Sequence, residues 1–143
     1  MHRLRALNLF MSIALLCAPG AVRVAAQKEI TASNAWIKLP AAGETAAAAY
    51  VTINNPGMYD TYVLSASSED ATAVELRVPP AGGGTPAVVK EVPVAAYDSL
   101  EMKPGGAHLW LTGLKHPLKA GDKVALTIVM DGGLSLPVQA EVR

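Results

Sequence analysis

The amino-acid sequence predicts an all-β protein, a sandwich or Greek-key barrel forming a single domain. Three observations predict it. Apolar and polar residues alternate with a period of two along many short runs. Clusters of glycine, proline, asparagine and aspartate separate those runs at regular spacing, and no long helical pattern interrupts them. No internal repeat, linker or second domain is visible.

The first 26 residues of the 143-residue chain stand apart from this pattern. Met1–Arg5 is a short basic region carrying Arg3 and Arg5, and Ala6–Ala18 is an apolar run too short to serve as a stable membrane anchor. Val24-Ala25-Ala26 supplies small residues for a signal peptidase, so residues 1–26 read as a signal peptide and 27–143 as the β-barrel domain. A lipidated Cys17 is the competing reading. It requires a small residue just before the cysteine, and Leu16 stands there instead. The expected product is periplasmic or secreted, with no stable membrane anchor after cleavage.

Within the domain, the strands expected in order are Ile30–Leu39, Ala46–Asn54, Tyr62–Ser67, Ala73–Val78, Ala87–Val94, Ser99–Met102, Ala107–Thr112, Val124–Met130 and Leu134–Val142. "TAAAAY" (Thr45 to Tyr50) has helical propensity in isolation, but its short length and its neighbours assign it to a strand. Val124, Leu126, Ile128 and Met130 share one strand face. Leu134, Leu136, Val138, Ala140 and Val142 share another, and Asp131-Gly132-Gly133 between them marks a tight hairpin. The remaining breaks are Asn54-Asn55-Pro56-Gly57, Pro79 to Pro86, Pro104-Gly105-Gly106 and Ala120-Gly121-Asp122.

Composition narrows the function. Removing Arg3, Arg5 and Arg23 leaves 9 basic residues against 12 acidic ones, a formal charge of −3. No basic cluster remains, which argues against nucleic acid or an anionic membrane as a partner. Cysteine is absent after residue 26, removing disulfides, a thiol nucleophile and thiolate metal ligands. A blue-copper electron carrier is thereby excluded. An amino-terminal copper motif would need histidine third in the mature chain, where Glu29 stands. No Gly-x-Ser-x-Gly elbow or paired histidine with a plausible serine supports hydrolysis, and "AGGGTP" lacks the ending of a phosphate loop. The expectation is a protein that is not an enzyme.

The segment "LEMKPGGAHLWLTGLKHPLKAGD" (Leu100 to Asp122) holds His108 and His116. Strand alternation sends Leu109 and Leu111 to one face, expected to be the core, and His108, Trp110 and Thr112 to the other. His108 and Trp110, two residues apart on one face, are close enough to touch one small ligand.

"MKPGGAHLWLTGLKHPLKAGDKVALTIVM" resembles the signature region of the periplasmic copper chaperones called PCu(A)C, in which Lys-Pro-Gly-Gly-aromatic-His-x-Met precedes Leu-Lys-x-Pro-Leu-x-x-Gly-Asp. "NAWIKLP" is similar to the family's early Ala-Trp-Val-Arg strand, "AAAAYVTINNPG" to its Ala-Ala-x-Tyr segment and "ATAVELR" to its Val-Glu-Leu-His strand. The likeness spans about Ile30 to Val142. It implies a cupredoxin-like Greek-key barrel that binds Cu(I) and delivers it to a copper enzyme such as a terminal oxidase.

The family's soft site resembles a histidine after Val-Glu-Leu, one or more following methionines, and a closing His-x-Met pair. Only His108 carries over as a metal ligand. Arg77, a fixed cation, stands at the first histidine, Trp110 stands at the closing methionine, and no methionine lies between Met58 and Met102. The resemblance thus implies a degenerate copper site. The alternative is a non-metal interaction module that retains the scaffold, with His108 a surface or hydrogen-bonded structural residue. Trp110 either packs over a barrel end or covers a Cu(I) ion with its ring face. Met102 and Met130 read as core filler, Met58 as the exposed methionine, His116 as a solvated loop residue, and Glu75 as a weak surface partner of Arg77.

Overall fold

The computed structural model describes Gly20 and residues 29–143. The expectations for the signal peptide, its cleavage and Cys17 lie outside these residues. Ten strands follow in order: β1 Thr31–Ile37, β2 Ala47–Asn55, β3 Thr61–Ser67, β4 Ala71–Val78, β5 Ala87–Val88, β6 Val92–Val94, β7 Asp98–Glu101, β8 His108–Leu114, β9 Lys123–Met130 and β10 Ser135–Val142. Among the described residues, no helix is long and apolar enough to cross a membrane.

Hydrogen bonding runs β4-β8-β2-β1-β10-β9-β3, and a further β3–β4 pairing closes seven strands into a barrel. β1 and β10 pair in parallel; the other pairings are antiparallel. The closing seam is thin, with Ala66 opposite Val74 as its one register pair. β5 adds to the edge of β4 and β6 to the edge of β3, where those strands part.

This division explains a departure from the expected single strand Ala87–Val94. The chain must cross from β4 to β3, and it breaks at 89–91 to do so. Pro93 is tolerated because β6 is an edge strand with one ladder neighbour. The "AAAAY" run is extended, as expected. Tertiary pairing with β1 on one side and β8 on the other overrides alanine's helical preference.

Alternation fills the interior. Ile37, Val51, Ile53, Val63, Leu109, Leu111, Val124, Leu126, Ile128 and Met130 are all buried. In β10, Leu136, Ala140 and Val142 join them, whereas Leu134 lies before the strand and is exposed. Gly132, with φ 75°, supplies the left-handed residue the β9–β10 turn requires. Asn55 and Thr61 are the buried polar residues among those described, and Asn55 is the more enclosed. Its amide donates towards the carbonyls of Tyr59, Val94 and Ala95, and its side-chain oxygen accepts from the Gly57 N–H, tying the β2–β3 turn to β6.

One irregularity positions the outer face. The β1–β2 register shifts between Ser33 and Trp36, where Asn34 takes a left-handed φ of 51°. Without this extra residue Trp36 would share the face of Ala32. The bulge moves it to the outside, opposite Tyr50.

Candidate functional site

β8 carries the centre of the candidate site. Its Leu109 and Leu111 are buried in the core, so His108 and Trp110 project from the barrel's outer face, as alternation requires. On the β4 side, His108 stands opposite Arg77 and Trp110 opposite Glu75. On the β2 side, Trp110 stands opposite Ala48. The next outward residue of β2 is Tyr50, whose ring centroid lies 6.2 Å from that of His108. Trp36 follows, 4.5 Å from Tyr50.

Arg77 is held in place by its neighbours. Its Nε and one terminal nitrogen both donate to one carboxylate oxygen of Glu75, at 3.0 and 2.7 Å. The guanidinium carbon lies 4.9 Å from the centroid of the Trp110 ring, within cation–π range. The expected Arg77–Glu75 pairing is therefore present, and the stacking on Trp110 adds to it. A protein cation already engages the indole that a Cu(I) ion would otherwise meet.

His108 has a defined ring orientation. Its Nδ1 lies 3.0 Å from the carbonyl oxygen of Gly106. A carbonyl can only accept, so Nδ1 carries the hydrogen, and in the neutral imidazole the lone pair belongs to Nε2. The turn before the strand makes this possible. Gly105 adopts φ 84°, and the Gly106 N–H donates back to the Lys103 carbonyl at 2.9 Å. The Pro-Gly-Gly motif thus does more than end β7. It presents a carbonyl that fixes the histidine tautomer, as the outer partners of metal-binding histidines do.

His108 and Trp110 line a cleft of about 550 Å³ on the outer face. Its floor is alanine, Ala46 to Ala48 of the "TAAAAY" run, and Lys38, Leu39, Pro40 and Glu44 from the β1–β2 loop overhang it. Larger side chains at the floor would fill the space. Tyr50 also lines the cleft and is only 5% exposed. Burial raises its pKa above the usual phenol value, keeping it a neutral hydroxyl.

The other sequence candidates lie elsewhere. Met102 and Met130 are buried in the core, as expected, and Met58 is exposed in the β2–β3 turn. None of the three lines the cleft. His116 is exposed in the β8–β9 loop, but it is paired as well as solvated: its Nε2 lies 2.8 Å from Asp70. Among the described residues no group of three or more His, Cys, Asp or Glu side chains could hold a metal ion. Tyr50, Ala48 and Gly106 were not among the candidates. Period-two alternation from Ala48 to Tyr50 beside His-x-Trp was the signal that could have found the first two.

Residues 30–142 match the model of the family described as "Putative lipoprotein LpqE-like". The chain belongs to the LpqE-like family. A relative from Leifsonia xyli subsp. xyli, named "Putative lipoprotein Lxx21020", is 34% identical over 117 residues, covering 80% of this chain and 69% of the relative. Among solved structures, the copper-bound PCuAC domain from PmoF2 superposes with a TM-score of 0.70 at 21% identity, over 80% of this chain and 92% of that domain. The solution structure of CuI-DR1885 from Deinococcus radiodurans gives 0.66 at 28% identity, over 80% and 78% respectively. This LpqE-like chain has the cupredoxin-like barrel of PCuAC domains, the fold expected from its sequence.

Proposed function

We propose that this LpqE-like protein is an exported copper-handling protein that binds Cu(I) weakly through His108 Nε2 and passes it to a copper enzyme such as a terminal oxidase. The single observation that carries the reading is His108. On a fold shared with copper-bound domains, its Nδ1 is engaged by Gly106, and its Nε2 has no protein partner among the described residues. The donor set fits weak rather than tight binding. It offers one imidazole, no thiol and no thioether in the cleft, with the Arg77 guanidinium beside the Trp110 ring. Copper here is cargo, and ready release suits a carrier.

A Cu(I) competition titration of the domain, with His108→Ala in parallel, tests the proposal. Weak binding that disappears in the variant is the expected result. Tight stoichiometric binding that survives the substitution would place the site elsewhere.

One observation favours a second reading, a non-metal interaction module on the same scaffold. Arg77, Glu75 and Trp110 satisfy one another without any ion. Absence of any His108-dependent copper binding would select it.

A further inference from the structure

We infer that the cleft beside His108 receives a methionine side chain from a partner protein, whose thioether and His108 Nε2 together hold Cu(I) in a shared site. The inference rests on the copper reading above and adds the chemistry of the partner.

The first argument is a shortage of donors. Cu(I) takes two or more soft ligands. Apart from His108, the side chains with heteroatoms lining the cleft are Lys38, Glu44, Tyr50 and Trp110. A lysine ammonium and an indole N–H have no lone pair to give, a carboxylate is a hard donor, and the Tyr50 phenol is held neutral by burial. This chain therefore contributes one suitable atom, and a second must come from outside.

The second argument is room and surface character. The cleft of about 550 Å³ falls within the range of small-ligand sites. An alanine floor, Leu39, Pro40 and the Trp110 ring make one part of its wall apolar, beside the charged Lys38 and Glu44. A thioether is the soft donor that loses least on entering such walls, and sulfur packs favourably against aromatic rings. An imidazole would also bring a second polar nitrogen that must leave water and be satisfied.

The third argument is Tyr50. It is 95% buried, yet its hydroxyl has no hydrogen-bond partner among the described residues and is not sealed from solvent. A hydroxyl left open at the bottom of a cleft suits a backbone carbonyl arriving with the methionine.

The test uses the exported protein, Cu(I) and a chromophoric Cu(I) chelator as competitor, without oxygen. Three probes are added separately at equal concentration: N-acetyl-methionine amide, its norleucine analogue and its histidine analogue. Free methionine competes for copper and on its own lowers the protein's apparent affinity. An increase therefore requires a ternary complex. The expected result is a rise of about tenfold or more with the methionine probe, none with norleucine, and less with histidine than with methionine. X-ray absorption of the ternary sample should show nitrogen and sulfur ligands together. His108→Ala should abolish the enhancement, as should Ala48→Leu, which fills the floor opposite Trp110.

His108-dependent binding that methionine does not enhance would overturn the shared site and leave the copper reading standing. No His108-dependent binding with any probe would remove both. An equal or larger effect of histidine would overturn the thioether assignment, and enhancement that survives Ala48→Leu would put the occupant outside this cleft. The norleucine comparison is made on the unaltered protein, so the result does not depend on a variant folding.

Discussion

Arg77 and His108 face each other across β4 and β8, and Val88 of β5 faces Arg77 from its other side. The three positions form one cross-strand row on the outer face, with Trp110 one step along β8 and within reach of the Arg77 guanidinium. Their neighbourhood makes a gain-of-function experiment specific. Arg77→His removes a fixed cation and supplies an imidazole beside His108. Val88→Met brings a thioether to the adjoining strand at a position 61% exposed, and Trp110→Met adds a second on the His108 face. The triple variant should bind Cu(I) more tightly than the parent by at least an order of magnitude, read by chelator competition, with mixed nitrogen and sulfur ligation by X-ray absorption. The stability cost should be about 1–3 kcal/mol, mainly from lost indole packing and the lost stacking on Arg77. A folded triple variant with the parent's affinity would show that this row is not a copper site.

Residues whose face is dictated by alternation were legible in the sequence. Leu109 and Leu111 had to point inwards once Ala107–Thr112 was read as strand, and His108 and Trp110 then had to point out. The β9 face was equally determinate, because Val124 to Met130 keeps strict period two with a glycine turn behind it. Features that depend on strands distant in sequence were not legible. The crossing that splits Ala87–Val94 follows from how β3 and β4 part, which no local pattern encodes. The cleft follows from the β1–β2 loop folding over three alanines, which in isolation suggested helix. The cation on Trp110 needed the β4–β8 register, since sequence alone offered only the i, i+2 pairing of Arg77 with Glu75. The bulge at Asn34 decides where Trp36 points, and a one-residue shift of this kind leaves no mark in a hydrophobic pattern.

Processing of the first 26 residues is open to direct measurement. The apolar run Ala6–Ala18 and the small residues Val24-Ala25-Ala26 favour cleavage before Gln27. The lipoprotein names of the family and of the Leifsonia relative instead direct attention to Cys17, where Leu16 is a poor preceding residue. Intact-mass analysis of the exported protein should give a chain starting at or near Gln27. A diacyl-glyceryl mass on Cys17 would establish the lipoprotein route instead, and a product retaining Met1 would defeat both.

Gly113 near the end of β8 should be intolerant of any side chain. Its φ of +64° is left-handed, and a Cβ there would lie 2.7 Å from the Cβ of Thr72. The Thr72 hydroxyl also donates to the Gly113 carbonyl at 3.1 Å, so the two backbones cannot separate without losing that bond. Left-handed strain and overpacking together should make Gly113→Ala cost about 2–4 kcal/mol in urea unfolding. Adding Thr72→Gly should recover the steric part and leave the conformational part. Destabilisation below about 0.5 kcal/mol, the range of ordinary surface changes, would contradict the close approach of β4 and β8 at this point.

His116 and Asp70 join the β8–β9 loop to the β3–β4 turn, and their pairing should give stability a pH dependence of known sign. Both ring nitrogens of His116 face acceptors: Nε2 lies 2.8 Å from Asp70, and Nδ1 lies 3.3 Å from the Pro117 carbonyl. Only the doubly protonated ring can donate to both. The Asp70 hydrogen bond, reinforced by that carbonyl, raises the His116 pKa above its ordinary value of 6.5. A group with a raised pKa in the folded state stabilises fully below its unfolded value, and that contribution fades as pH rises through the folded value. The difference in melting temperature between the parent and Asp70→Asn should therefore be largest below about pH 6.5 and shrink on the alkaline side. Because the pair is exposed, the difference should be small and should diminish with salt. Asp131 provides the opposite case. The Thr61 hydroxyl and the Tyr62 amide lower its pKa, so its contribution is present above the ordinary carboxylate value and fades as pH falls through the folded one. Proton NMR titration of the His116 ring should show its midpoint falling in Asp70→Asn. An unchanged midpoint would mean that the loop-to-turn contact does not persist in solution.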